Sequence, residues 1–152
     1  MKIRIIVVGR KPEASTQSII DEYLRRLPRR IQVSWEFIAP VSGRDELTTR
    51  KLESAIIQQK LSGAEFVALL DERGKMFDNN TLAEMYQARE LAGQLTFIVG
   101  GAFGVADELR QRANLVWSLS PLVLPHQLVW IVLAEQIYRT TAILANHPYH
   151  HE

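Results

Sequence analysis

Short apolar runs rich in β-branched residues alternate with amphipathic segments along this chain. Ile3 to Val8 reads as a strand ending at Gly9. From Ser18 to Leu27 the helical spacing of Ile19, Ile20, Tyr23, Leu24 and Leu27 predicts a helix. Gln32 to Ala39 is a second strand and Leu47 to Leu61 a second helix. Phe66 to Leu70 is a third strand, closed by a polar turn from Asp71 to Lys75. Thr81 to Glu84 has the form of a capping box, whose hydroxyl and carboxylate satisfy the free amides of a helix start. That helix is expected to run to about Leu91 and to stop at Gly93. Leu95 to Val99, Ala106 to Arg112, Leu115 to Leu119 and Gln127 to about Asn146 follow as strand, short helix, strand and last helix.

The alternation predicts an α/β fold, a mainly parallel sheet with helices on both faces. Phe66 to Leu70 and Leu95 to Val99 are continuously apolar, as strands covered on both sides should be. With 152 residues and no linker or internal repeat, one domain over 1–152 is expected. Hydrophobic residues make up 47% and charged residues 23%, a globular rather than a disordered composition. The chain has no cysteine, which excludes disulfides, thiolate metal sites and cysteine nucleophiles and fits a cytoplasmic location. Its apolar runs are too short for a signal peptide or for the roughly 20 residues of a membrane span. A soluble protein without a membrane partner is therefore expected. A net charge of +1 argues against non-specific nucleic-acid binding over the whole surface and leaves room for a local basic patch.

In parallel sheets ligands bind beyond the carboxyl ends of the strands. Gly100 to Gly104 lies there, either as a cofactor loop or as a tight strand-to-helix turn. A Walker-type loop is excluded, as are the serine-hydrolase elbow and the zincin motif. Ser118 to Pro125 is more specific. Pro121 and Pro125 force the residues before them to be extended and remove two backbone donors. The loop is nevertheless apolar, with Leu119, Leu122, Val123 and Leu124. A flat heterocycle such as adenine suits it, with backbone groups reading the edge and aliphatic chains covering the faces; the other reading is a buried connection. The last helix is apolar nearly all round, which predicts a subunit interface in addition to a core, or else a central core helix.

The chain closes on His147, Pro148, Tyr149, His150 and His151. Zinc sites usually add cysteine or carboxylate ligands at recognisable spacings, so no metal is expected here. The cluster reads better as groups that stack on an unpaired base or bond its edge, the alternative being a solvated tail. Arg25, Arg26, Arg29 and Arg30, with Arg10 and Lys11, form a basic cluster suited either to phosphate or to a solvated face.

Together these segments resemble a family of small bacterial methyltransferases of large-subunit ribosomal RNA pseudouridine, within the SPOUT superfamily. The resemblance covers nearly the whole chain. It rests on Met1 to Gly9, Asp21 to Pro28, Leu69 to Lys75, Phe97 to Gly104, Trp117 to Val129, Ala134 to Arg139 and Asn146 to His150. It implies a C-terminal trefoil knot, a homodimer and S-adenosylmethionine as cofactor. It places Leu70, Gly100, Leu119, Ser120, Pro121, Leu122, Val123 and Leu124 at that cofactor. The implied substrate is a pseudouridine of large-subunit ribosomal RNA, methylated at N3, with Tyr149 and His150 at the target base. Trp130 departs from the pattern, since a basic residue commonly stands there, and this puts RNA or dimer contact in doubt. Phe103 is also larger than the glycine loop leads one to expect. A non-catalytic ribosome-binding module, or another nucleotide-binding α/β enzyme, are the competing readings.

Overall fold

The computed structural model describes residues 1–61, 63, 66–90 and 93–149. Five strands alternate with five helices: β1 (Lys2–Val8), α1 (Ala14–Arg25), β2 (Gln32–Ile38), α2 (Glu46–Lys60), β3 (Phe66–Lys75), α3 (Asn79–Glu90), β4 (Gln94–Val99), α4 (Asp107–Arg112), β5 (Leu115–Trp117) and α5 (His126–Leu144). The strands form one sheet in the order β2-β1-β4-β3-β5, and every pairing is parallel. The α/β expectation holds, and the sheet is parallel throughout.

Both faces of the sheet are covered. Ile3, Ile5, Phe97 and Trp117 pack on one side against Ile20 of α1, Leu82 and Tyr86 of α3, and Trp130, Leu133 and Ile137 of α5. Ile6, Val8, Leu69 and Ile98 pack on the other against Ile57 of α2 and Leu109 of α4. Each buried aliphatic or aromatic side chain contributes roughly 1.5–3 kcal/mol, so these two clusters hold the layers together.

Four boundaries differ from the sequence reading, each for a physical reason. Helix α1 begins four residues early, because its first turn is polar and shows no apolar period; Thr16 is buried there and donates to Gln127 Oε1 of α5 at 2.6 Å. Asp78, not Thr81, caps α3, with its Oδ1 accepting from Thr81 N at 2.8 Å. The end expected near Leu91 lies outside the described residues. Strand β5 stops at Trp117, two residues short, where serine side chains take over the hydrogen bonding. The largest correction concerns 71–75. This segment is no turn; it extends β3, and Lys75 pairs with Trp117 after a register shift.

Gly74 is what allows that extension to lie on β5. A side-chain carbon at this position would stand 2.6 Å from the Val116 carbonyl oxygen and 2.8 Å from the Trp117 carbonyl carbon. Backbone cannot step aside as a side chain can. Gly74→Ala is therefore expected to destabilise the fold by about 1–3 kcal/mol in urea unfolding, the range for overpacking. An unchanged midpoint would show that the strands separate freely.

Candidate functional site

A cleft of about 540 Å³ opens at the carboxyl ends of β3, β4 and β5. Its floor is the ends of those strands, where Leu70, Val99 and Trp117 face it. Gly100 to Val105 forms one side and the Pro121–Pro125 loop another. The first turn of α2 contributes Glu46 and Arg50. Of the residues assigned to a cofactor from sequence, Leu70, Gly100, Leu119, Ser120, Leu122, Val123 and Leu124 line this cleft. Pro121 is exposed beside it and is not part of its lining.

The loops are held by specific hydrogen bonds. Ser118 Oγ donates to the Ser120 carbonyl at 2.9 Å, and Ser120 Oγ accepts from Leu122 N at 2.9 Å. These side chains replace the strand ladder that the prolines interrupt. In the glycine loop, Gly104 N donates to the Gly101 carbonyl at 3.0 Å. The loop rests on α2, where Ser54 Oγ accepts from Ala106 N at 2.8 Å. A side-chain carbon on Gly101 would overlap Glu53 Oε2, so Glu53 would have to move to admit it. Phe103 stands at the loop's tip, 41% exposed, with one face toward the cleft.

Asp71 pins the cleft wall. Its side chain is only 7% exposed; Arg73 N donates to Oδ1 at 2.9 Å, and Arg110 Nη2 of α4 lies 2.8 Å from Oδ2. Burial pushes the carboxyl's pKa up, but Arg110 and the Arg73 amide and side chain outweigh it and hold the pKa below the usual aspartate value. The sequence reading missed Asp71 and Arg110 as a pair, because nothing in their separation along the chain signals the contact. It also missed Glu46, Arg50 and Glu53. Their i, i+4, i+7 spacing puts all three on one face of α2, and such a stripe is ordinarily solvated.

Tyr149 is elsewhere. Its hydroxyl donates to Glu135 Oε1 at 3.2 Å and its ring meets Tyr138 edge to face at 4.7 Å. Arg139 lies 4.9 Å from the ring centre and donates to the same Glu135 oxygen at 2.8 Å. Burial, the Glu135 charge and Tyr23 push the Tyr149 phenol up to about 12. Val129 lines the cleft, whereas Tyr138 lies nine residues further along α5, about 14 Å at the helical rise. Among the described residues, Tyr149 and the cleft are thus not brought together within one chain. His150 and His151 lie outside the described residues. His147 Nδ1 accepts from Tyr149 N at 3.2 Å. Among the described residues, no three His, Cys, Asp or Glu side chains gather as a metal site would require.

Two further sequence observations change. Trp130 is 3% exposed and packs edge to face on Phe37 at 5.6 Å. At this position the chain carries a core side chain rather than a surface contact. The basic cluster is partly neutralised: Arg26 pairs with Glu22, and Arg30 with Glu90 at 2.9 Å. Arg10, Lys11 and Arg29 remain exposed. No described helix is long and apolar enough to cross a membrane.

A family profile described as "Predicted SPOUT methyltransferase" matches residues 1–150. The chain belongs to the SPOUT methyltransferase family. Full-length relatives agree. The chain is 41% identical over 152 residues to the ribosomal RNA large subunit methyltransferase H of Deinococcus radiodurans, covering 99% of both chains. It is 37% identical over 156 residues to the protein of that name from Hahella chejuensis and 36% identical to that from Methylobacillus flagellatus, covering 100% of each. A methylase family protein from Neisseria gonorrhoeae shares the fold, with a TM-score of 0.53 at 15% identity over 95% of this chain and 93% of that one. In this SPOUT methyltransferase, a family whose activity implies a methyl donor, the cleft is lined by apolar side chains of the Pro121–Pro125 loop and by the glycine loop.

The Asp71 ion pair predicts a pH dependence. A carboxyl whose folded pKa lies below its unfolded value contributes stability above the unfolded pKa, and that contribution is lost as pH falls through the folded pKa. Asp71→Asn is therefore expected to lower stability in urea near pH 7, with the difference from wild type shrinking as pH falls below the ordinary aspartate value of 3.8. A difference that stays constant over that range would mean that the charge is not what matters.

Proposed function

We propose that this chain methylates N3 of a pseudouridine in large-subunit ribosomal RNA, with S-adenosylmethionine as donor, as a cytoplasmic homodimer with one knotted domain over 1–152. The observation that carries the proposal is the coincidence of seven expected cofactor residues in one cleft at the carboxyl ends of parallel strands. The relatives named as ribosomal RNA methyltransferases supply the substrate class. When bound, the cofactor supplies an electrophilic methyl group on a sulfonium, so the reaction calls for no metal. Leu119 to Leu124 would hold the adenine, and Leu70 and Gly100 the adjoining part of the nucleoside.

The chain's own task is to hold N3 in line with that methyl group and to let the N3 proton leave. Fixing two reactants in line removes much of the entropic barrier. Tyr149 stays protonated at neutral pH, since its phenol is pushed up to about 12. It therefore suits donating a hydrogen bond to the base or stacking on it, and is unsuited to accepting the N3 proton. His150 is the proposed partner at the base. In this reading the tail of one protomer serves the cleft of the other, because α5 separates Tyr149 from the cleft of its own chain.

Two measurements test this. Ribosomal RNA from a strain lacking the protein is expected to lose N3-methylpseudouridine by mass spectrometry; persistence of that nucleoside at the wild-type level would refute the substrate. Removing Pro148 to Glu152 is expected to abolish methyl transfer while leaving cofactor affinity by calorimetry within about twofold. Parallel loss of both would contradict the separation of tail and cleft.

A further inference from the structure

The cleft has one apolar wall and one charged wall. Leu119, Leu122, Leu124 and Val129 make the first. The second is the face of α2 that carries Glu46 and Arg50, with Glu53 one turn further on. A glutamate four residues before an arginine on a helix ordinarily forms an ion pair. Here Arg50 has no ion-pair partner among the described residues, although it lines the cleft and is half-buried. Arg73, the other arginine of the lining, is already held by Asp71.

Glu53 supplies an independent observation. Its side chain is buried, at 3% exposure, and Oε1 accepts from Val41 N at 3.0 Å. Oε2 has no hydrogen-bond partner and rests against Gly101, which lines the cleft. A buried carboxylate oxygen without a donor favours positive charge nearby, because its field is weakly screened inside the protein. Along this face the charges run negative, positive, negative. A ligand that carries two positive charges and one negative charge is the complement.

We propose that α2 forms the subsite for the α-amino-acid end of the methyl donor: Arg50 binds its carboxylate and Glu46 its ammonium, over a glycine loop backed by the Glu53 carboxylate. This rests on the cofactor reading given above and assigns the half of the ligand that the apolar wall cannot hold. An α-carboxylate gains a charge-assisted, bidentate hydrogen bond from a guanidinium, which exceeds what an adenine ring gains by stacking on it. Placing the nucleoside on the backbone-lined wall and the zwitterion on α2 satisfies both ends at once. It also leaves the sulfonium between the two ends.

Two ligands with the same nucleoside and thioether separate the possibilities. S-adenosylhomocysteine carries the amino-acid end, and methylthioadenosine lacks it. Calorimetry on the full chain is expected to show tighter binding of the first by wild type. Arg50→Ala is expected to weaken S-adenosylhomocysteine about tenfold or more, as loss of one charge-assisted bond implies, while methylthioadenosine changes by less than about twofold. Arg50→Lys should recover part of the loss, since it restores the charge without the fork. Thermal unfolding of Arg50→Ala should match wild type, as the residue is half-exposed. If Arg50→Ala leaves S-adenosylhomocysteine unchanged, or weakens both ligands alike, the subsite is wrong and the cofactor reading stands. If wild type binds neither ligand, the cofactor reading falls, and the subsite with it.

Discussion

The backbone of Gly74 lies on the backbone of Val116 and Trp117, and the whole carboxyl end of the sheet takes its shape from that contact. Because β3 continues past Leu70, Lys75 can pair with Trp117, and its carbonyl accepts from Ser118 N at 3.0 Å. That bond ends the β5 ladder and hands the chain to the loop bracketed by Pro121 and Pro125. The same extension carries Asp71 to Arg110, which ties the cleft wall to α4. Buried backbone groups must be paired, so two strands this close leave little freedom for the loop that follows. The shape of the cleft thus depends on a glycine outside its lining as well as on the side chains within it.

This explains which parts were legible from sequence. The alternation of apolar runs and amphipathic helices records side-chain burial, so the strands and the two-layer cover could be read directly. Residues 71–75 could not, because their strand geometry is imposed by backbone contact and their side chains are polar and mostly exposed. The first turn of α1 was hidden for a related reason, being anchored by the Thr16–Gln127 hydrogen bond and not by an apolar stripe. The cleft lining was legible where glycine and proline mark special backbone. Its charged wall was not, since a stripe of Glu46, Arg50 and Glu53 looks the same in sequence whether it meets water or a ligand. Trp130 shows the opposite case. A residue that seemed to remove a surface charge is a core side chain, and its effect is on packing with Phe37 and His126.

Helix α5 joins two regions with different chemistry. Its first turns adjoin the cleft, with His126 and Val129 in the lining. Its later turns hold the tail through Glu135, Tyr138 and Arg139. Between them Leu133, Ala134 and Ile137 are locked against the sheet, so the helix cannot slide to bring one end toward the other. Tyr138 and Glu135, which hold Tyr149, are therefore fixed at a distance from the cleft. To reach the cleft of its own chain Tyr149 would have to leave the Glu135–Arg139 network, which a contact elsewhere would not require.

The cleft is also incomplete on its open side. Leu122 is 71% exposed and Val123 83% exposed, two aliphatic side chains next to each other at the mouth. Aliphatic chains in such a position gain only when something dry covers them. A bound ring would shield the faces that look inward, yet the outer faces would still meet water. Those outer faces stay in water unless a further surface covers them. Methyl transfer favours the same closure, because excluding water strengthens the charge interactions around a sulfonium. The exposure of Leu122 and Val123 at the mouth and the position of Tyr149 away from it thus leave the cleft open on a side that its own described residues do not cover.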